Sequence, residues 1–174
     1  VLFCLNYLKN GKAPQQWVIH GGQSSIDAYK HCPSAQIDRH IAFLEHLENY
    51  IEIEARLFVH AGFSHPKGPK EEFHAHLVYW DRSLWETARA AHHLTDQDSW
   101  QYPERLKLYK EIYIGHTPVQ RIGASTPFCA SNVWNVDTGA AFGGALSAIN
   151  TATKEFWQSD PLPSLYPNEL GRQA

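Results

Sequence analysis

The sequence LFVHAG at residues 57–62 has the composition of a buried β-strand that ends in a histidine, His60, beside a glycine. The sequence IYIGHT at residues 112–117 repeats this plan and supplies His116. Ligands of open α/β sheets collect where such strands end, and histidine is the commonest metal ligand and proton carrier near neutral pH. Taken singly, each histidine is equally compatible with a structural role. Together they predict a single site, and we favour a metal site.

Helix and strand patterns alternate around these two segments, which predicts an α/β fold. Helices are expected over residues 2–10, 24–29, 34–47 (with Ser34 as N-cap) and 81–91 (with Asp81 as N-cap). Strands are expected over residues 50–54, 56–59 and 109–114, followed by an antiparallel meander of residues 133–136, 145–149 and 155–157. No linker divides the chain, so residues 1–174 are predicted to form one domain, with an irregular proline-rich tail over residues 158–174.

Composition excludes several classes of protein. The 174 residues suffice for one domain with a real core. The net charge of −3, without a basic stripe, argues against a nucleic-acid polymer as partner. No apolar run has the length of a membrane span. The three cysteines form no paired framework, which predicts a reducing, cytoplasmic location.

Three short motifs carry a resemblance to a known family. They are FVHAG at 58–62, IGHTP at 114–118 and NVDTG at 135–139, supported by WDR at 80–82 with Trp85 and by Trp17 with the glycines at 21–22. In this order they resemble the C-terminal signatures of the calcineurin-like metallophosphoesterases. The resemblance is strongest to the bacterial serine/threonine protein phosphatases and the symmetrical diadenosine tetraphosphatases. Pro118, where the nuclease branch has a second histidine, favours the phosphatase branch.

The resemblance implies a fold and a set of roles. The fold would be a four-layer α/β/β/α sandwich with mixed sheets, of which this chain covers the C-terminal half. His60 and His116 would bind one metal of a centre of two divalent ions, Mn, Fe or Zn, and Arg82 would grip the substrate phosphate. Asp137 and Gly139 would hold a structural turn.

The implied activity is hydrolysis of phosphomonoesters by direct attack of a metal-bridging hydroxide, with a phosphoprotein as substrate. Hydrolysis of symmetrical dinucleoside tetraphosphates is an alternative on the same site, with a nucleotide as substrate. A third possibility is a non-catalytic module with an incomplete metal site.

The family's N-terminal motifs Asp-x-His, Gly-Asp-x-x-Asp-Arg-Gly and Gly-Asn-His-Asp/Glu do not occur in this sequence. We therefore expect the chain to begin after the first half of the active site. Two histidines are too few for a catalytic metal site, so these residues alone are expected to bind metal weakly and to hydrolyse nothing. Half of a sandwich would also expose an apolar sheet face and be poorly soluble.

Other residues have weaker claims to a functional role. His20 precedes the glycine pair at 21–22 and is a candidate for substrate binding at the rim of the site. The histidines at 74 and 76 could chelate a metal, although a solvated loop is the commoner use of such a polar segment. The aromatic residues at 79, 80, 85 and 100 could stack on a nucleobase or pack in the core.

Overall fold

The computed structural model describes residues 1–168 and divides the chain into two compact units, residues 1–48 and the residues from Asn49 onward. The first unit is helical. Its helices are α1 (Leu2–Asn10), α2 (Gln15–Trp17), α3 (Gln23–Tyr29) and α4 (Ser34–Glu45). The helices predicted at 2–10, 24–29 and 34–47 are thus confirmed to within a few residues.

The helix ends of the first unit follow local chemistry. Gly11 ends α1 in the left-handed conformation (φ 67°), and its N–H donates to the carbonyl of Tyr7 at 2.8 Å. The predicted N-cap at Ser34 is wrong, because Ser34 is the first helical residue and Pro33 occupies the cap. Pro33 has the extended backbone that a cap requires, and its carbonyl accepts the amide of Ile37.

The second unit contains a five-stranded mixed sheet in the order β1-β2-β3-β5-β4. Its strands are β1 (Tyr50–Ile53), β2 (Arg56–Val59), β3 (Glu111–Ile114), β4 (Phe128–Ala130) and β5 (Val133–Asn135). β2, β3 and β5 are parallel, while β1 and β4 close the two edges in antiparallel fashion. The α/β class is therefore confirmed, and β4 is a strand that the sequence did not predict.

The predicted meander of three closing strands is wrong in one respect. Only β6 (Ser147–Ile149) and β7 (Phe156–Gln158) pair with each other, as a separate antiparallel hairpin. β5 instead joins the main sheet parallel to β3. The reason is burial. Val133 and Asn135 of β5 are fully buried. The position between β3 and β4 gives β5 a neighbouring strand on both sides and the cover that parallel strands require.

Three short helices complete the second unit: α5 (Ser83–Ala90), α6 (Glu104–Lys107) and α7 (Leu162–Leu165). The apolar side of α5 packs on one face of the sheet. This core contains Leu57, Val59, Phe63, Leu84, Trp85, Ala88, Leu106, Ile112, Ile114 and Val133. α7 lies in the stretch predicted to be irregular, of which residues 169–174 fall outside the described part of the chain.

The opposite face of the sheet is also aromatic and apolar. Ile51, Phe58, Tyr113 and Trp134 form one row in register across four strands. The rings of Phe58 and Tyr113 stack with their centres 5.0 Å apart, whereas Ile51 at the edge is 49% exposed. This face therefore leaves apolar surface in contact with solvent. Among residues 1–168, no helix has the length and apolarity to cross a membrane.

Candidate functional site

The two histidines of the strand-end segments lie at one edge of the sheet. β2 and β3 are parallel neighbours, so their carboxyl ends meet there. The N–H of Gly115 donates to the carbonyl of His60 at 2.9 Å, which fixes the two segments to each other. The imidazole centres of His60 and His116 are 5.1 Å apart, with the ring planes inclined at 60°. The structure thus brings together the two residues that the sequence singled out.

His116 has an unusual backbone conformation. Its φ of 67° lies in the left-handed region, which is uncommon for a residue with a side chain. The turn is closed by the N–H of Thr117, which donates to the carbonyl of Gly115 at 2.7 Å. Residues held in this region cluster at functional sites. Glu54, Ala55, Ser131 and Lys154 also have a positive φ, so the conformation of His116 is compatible with a functional role and does not by itself establish one.

A third parallel strand, β5, ends at the same edge, and Asp137 follows its last residue by two positions. Its Oδ1 accepts a hydrogen bond from the N–H of Gly139 at 3.0 Å, and its carbonyl accepts the N–H of Val119 at 2.9 Å. Its own N–H donates to Oδ1 of Asn135 at 3.1 Å. Gly139 has a φ of 78°. Asp137 and Gly139 thus belong to a hydrogen-bonded turn that lies beside Gly115.

The electrostatics of the site favour neutral imidazoles. Burial lowers the pKa of His60, against an opposing effect of Asp137. Burial also lowers the pKa of His116, and the adjacent His60 and the positive charge of Arg82 add to this effect. A neutral imidazole has a free lone pair and is the form that binds metal ions. Both pKa values therefore lie below the ordinary imidazole value.

Arg82 stands at the start of α5 beside a capping carboxylate. The predicted N-cap at Asp81 is one residue early, because Arg82 is the N-cap of α5. The Asp81 carboxylate nevertheless accepts the N–H of Leu84 at 2.9 Å and that of Ser83 at 3.2 Å, so it satisfies the first amides of the helix. The side chain of Arg82 is exposed and has no ion pair or hydrogen bond within residues 1–168. It therefore presents a free guanidinium that acts electrostatically on His116.

Arg105 fixes the start of α5, and the sequence did not identify it. Its guanidinium donates to the carbonyl of Phe63 at 3.1 Å, to Oγ of Ser83 at 2.9 Å and to the carbonyl of Ser83 at 2.6 Å, and it also contacts Thr87 Oγ1. Phe63 lies three residues after His60. Arg105 therefore links the segment that carries His60 to the segment that carries Arg82. No sequence signal reveals this role, because the contacts join residues 18 to 42 positions apart.

The predicted aromatic candidates separate into two groups. Trp85 is buried in the core, and Tyr79 packs against it. Trp80 is 54% exposed and presents its ring to His116 edge-on, with centres 5.6 Å apart. Trp100 is almost fully exposed. Trp80 is therefore the aromatic side chain that the structure brings to the histidine pair.

The remaining candidate histidines belong to other segments of the chain. His20 belongs to the first unit, where it sits in a kinked turn at φ −91° and ψ 29° and is exposed. His74 and His76 stack with their ring centres 5.3 Å apart and their planes at 20°. Both are exposed, as expected for the predicted solvated segment.

The imidazoles of His60 and His116 are close enough to approach one ion together. Two imidazoles that bind one ion at about 2.1 Å in near-tetrahedral geometry have their ring centres about 5 Å apart, which agrees with the observed 5.1 Å. Within residues 1–168, no three His, Cys, Asp or Glu side chains are grouped so that they could hold a metal ion. The pair alone is therefore too small to form a metal site.

No protein-family model matches the chain. No curated protein matches it either.

Proposed function

We propose that the chain carries one half of the active site of a metal-dependent phosphoesterase of the calcineurin-like type, acting as a serine/threonine protein phosphatase. The observation that carries the proposal is the convergence of His60 and His116 at the ends of adjacent parallel strands, with ring centres 5.1 Å apart. The left-handed backbone of His116 and the unpaired guanidinium of Arg82 support it.

The four-layer sandwich is part of this proposal. One face of the five-stranded sheet is covered by α5, as an outer helical layer would be. The other face carries the aligned row from Ile51 to Trp134 and leaves apolar surface exposed at its edge. A second sheet packed on this row would bury it, as in other sheet-on-sheet folds. We also propose a cytoplasmic location, on the basis of three unpaired cysteines at 4, 32 and 129.

Each residue of the site has a definite task in this proposal. His60 and His116 hold the metal, which when bound polarises the phosphoryl group and lowers the pKa of water. Arg82 binds two oxygens of the phosphate through its planar fork and stabilises the charge that develops on them. Asp81 and Arg105 hold the start of α5 in place through hydrogen bonds, and this fixes the backbone position of Arg82.

The test is an assay of the full-length product of the gene with Mn²⁺, using p-nitrophenyl phosphate and a phosphoserine peptide. His60→Ala and His116→Ala should each abolish hydrolysis. His93→Ala, at an exposed histidine outside the site, should leave activity unchanged. If both site variants retain full activity, the assignment is wrong.

A specific observation favours a second candidate, hydrolysis of symmetrical dinucleoside tetraphosphates. Trp80 is half exposed and lies edge-on to His116, where its ring could stack on a nucleobase. For this activity, Trp80→Ala should raise the KM for diadenosine tetraphosphate and leave that for p-nitrophenyl phosphate unchanged. An equal effect on both substrates would remove the support that Trp80 gives to this candidate.

A third candidate is a binding module without catalysis. It is favoured by the missing third ligand among residues 1–168. The module predicts that the full-length product neither hydrolyses a phosphoester nor binds Mn²⁺ through His60 and His116. Metal-dependent turnover that requires both histidines would exclude it.

A further inference from the structure

Asn135 is a polar residue at a position where the alternation of the sheet favours an apolar one. On β3 and β5, the residues that alternate into the core are Ile112, Ile114 and Val133. Asn135 is the next residue of this alternation on β5, where it pairs with Ile114 and is fully buried. A buried amide is unfavourable unless it is hydrogen-bonded. The hydrogen-bond partners of Asn135 therefore account for its place in the core.

Both partners of this amide lie in the segments that follow the strands, at the edge of the sheet that carries the histidine pair. Nδ2 of Asn135 donates to the carbonyl of Thr117 at 2.8 Å, and its Oδ1 accepts the N–H of Asp137 at 3.1 Å. Thr117 follows β3 and Asp137 follows β5. One buried side chain therefore joins the two segments to each other.

The segment after β3 contains His116 in its left-handed conformation, with a φ of 67°. On the N-terminal side of His116, the N–H of Gly115 donates to the carbonyl of His60 at 2.9 Å. On the C-terminal side, the carbonyl of Thr117 accepts the hydrogen bond from Asn135. An unfavourable backbone conformation persists only where its surroundings hold it in place. Asn135 therefore supplies this support on the C-terminal side of His116.

We propose that Asn135 is a positioning residue whose amide holds residues 115–117 in the conformation that places the imidazole of His116 against that of His60. The inference rests on the proposed function for the task of the two imidazoles. It adds that a fully buried side chain of β5 controls how the two rings approach one ion. Without this amide, residues 115–117 leave the left-handed turn, and the ring centres lose their fixed separation of 5.1 Å.

The test compares Asn135→Ala with Asn132→Ala in the full-length product of the gene. Asn132 directly precedes β5, whereas Asn135 ends it. The amide of Asn132 also makes two hydrogen bonds to backbone groups, the carbonyls of Leu106 at 2.7 Å and Tyr109 at 2.8 Å. Both variants therefore remove two hydrogen bonds, but Asn135→Ala alone removes the bond to the turn that carries His116. Asn135→Leu fills the space without the amide and replaces the alanine variant if circular dichroism shows that variant to be unfolded.

Two measurements are made on these variants. In metal-free protein, the unmodified chain should show a nuclear Overhauser contact between the rings of His60 and His116, assigned with the alanine variants of each histidine. Asn135→Ala should abolish this contact, and Asn132→Ala should retain it. The Mn²⁺ concentration for half-maximal hydrolysis of p-nitrophenyl phosphate should rise about tenfold in Asn135→Ala, because loss of a group that orients a metal ligand costs at least about that factor. Asn132→Ala should leave it close to that of the unmodified protein.

The outcomes separate this inference from the proposed function. If Asn135→Ala keeps the contact between the rings, or if Asn132→Ala abolishes it equally, the inference is overturned and the phosphoesterase proposal is unaffected. A lost contact with an unchanged Mn²⁺ dependence also overturns it, because the imidazoles then work without this support. Loss of the fold in both Asn135 variants would make the amide a structural group and would overturn it too. If the contact depends on Asn135 but the full-length product hydrolyses no phosphoester, the positioning role stands and the proposed activity fails.

Discussion

Arg105 and Ser83 are joined by two hydrogen bonds, one to the side-chain Oγ at 2.9 Å and one to the backbone carbonyl at 2.6 Å. The same guanidinium reaches the carbonyl of Phe63 at 3.1 Å. One cation therefore satisfies acceptors on two separate segments that flank the histidine pair. Burial lowers the pKa of Arg105, and the carboxylates of Asp81 and Glu72 oppose this effect, so the group stays charged.

The first prediction concerns this link. Arg105→Met should destabilise the second unit by about 2–3 kcal/mol, because it leaves several acceptors without their charged donor. Arg105→Lys should recover only part of the loss, since an ammonium lacks the planar fork. Urea unfolding monitored by tryptophan fluorescence measures both. Arg89→Met, at an exposed arginine of α5, is the control and should change stability by less than about 0.5 kcal/mol. Equal stability of Arg105→Met and Arg89→Met would contradict the linking role.

The second prediction concerns the close approach of Gly62 to Asp81. A Cβ on Gly62 would lie 2.6 Å from Oδ2 of Asp81 and 3.0 Å from Cβ of Leu84. Gly62 also has a φ of 157°, which strains any residue with a side chain. Gly62→Ala should therefore displace the Asp81 carboxylate and cost about 1–3 kcal/mol from the clash and the backbone strain together. Gly11→Ala is a useful comparison, because Gly11 has open space around it but a φ of 67°, so it should cost about 1 kcal/mol from backbone strain alone.

The distinguishing measurement for Gly62 is a double-mutant cycle with Asp81→Ala. Without the carboxylate, the added methyl group has more room, so the cost of Gly62→Ala should fall. Independent, additive effects would mean that the clash with Asp81 is not the cause.

The strand-end histidines were predictable because the signal is local. A run of β-branched and aromatic residues that ends at a glycine defines both the strand and its last residue, as in the segments that carry His60 and His116. Parallel pairing of β2 and β3 then brings the two ends together. The helix end at Gly11 and the hydrogen bonds of Asp81 to the start of α5 were predictable for the same reason, since each acts within four residues.

Features that depend on distant contacts could not be predicted in this way. Arg105 lies in a charged stretch typical of a solvated helix, and only its contacts with Phe63 and Ser83 give it a role. The position of β5 depends on whether it pairs more favourably with β3 or with β6, and tertiary contacts decide this.

The third prediction concerns acid stability. Burial raises the pKa of Glu111, but hydrogen bonds from Lys154, Arg56 and Tyr113 outweigh this effect, so the net pKa lies below its usual range. A carboxylate with a lowered folded-state pKa contributes stability that is present above the unfolded pKa of about 4.3. That contribution is lost as the pH falls through the lower folded-state value.

Glu111→Gln should therefore reduce stability at pH 7, and the difference from the unmodified protein should shrink as the pH falls from about 5 to 3. Thermal melts across this range measure it. Glu155→Gln changes an exposed carboxylate without an ion pair among residues 1–168, and it should give a difference that is small at every pH. A difference for Glu111→Gln that grows towards low pH would refute the assignment.

The fourth prediction concerns the left-handed backbone of His116, whose φ is 67°. This conformation raises the free energy of the folded state by about 1 kcal/mol for a residue with a side chain, and glycine avoids this strain. Alanine retains the cost, and His116→Ala and His116→Gly both remove the imidazole. His116→Gly should therefore be more stable than His116→Ala by about 1 kcal/mol, although the greater freedom of glycine in the unfolded chain offsets part of this difference. The same two substitutions at His93, an exposed residue in the turn after α5, should leave the glycine variant no more stable than the alanine variant. If alanine is the more stable replacement at both positions, His116 is not strained. If His116→Gly is instead the more stable variant, the backbone strain at His116 lowers the stability of the protein while it holds the imidazole 5.1 Å from that of His60.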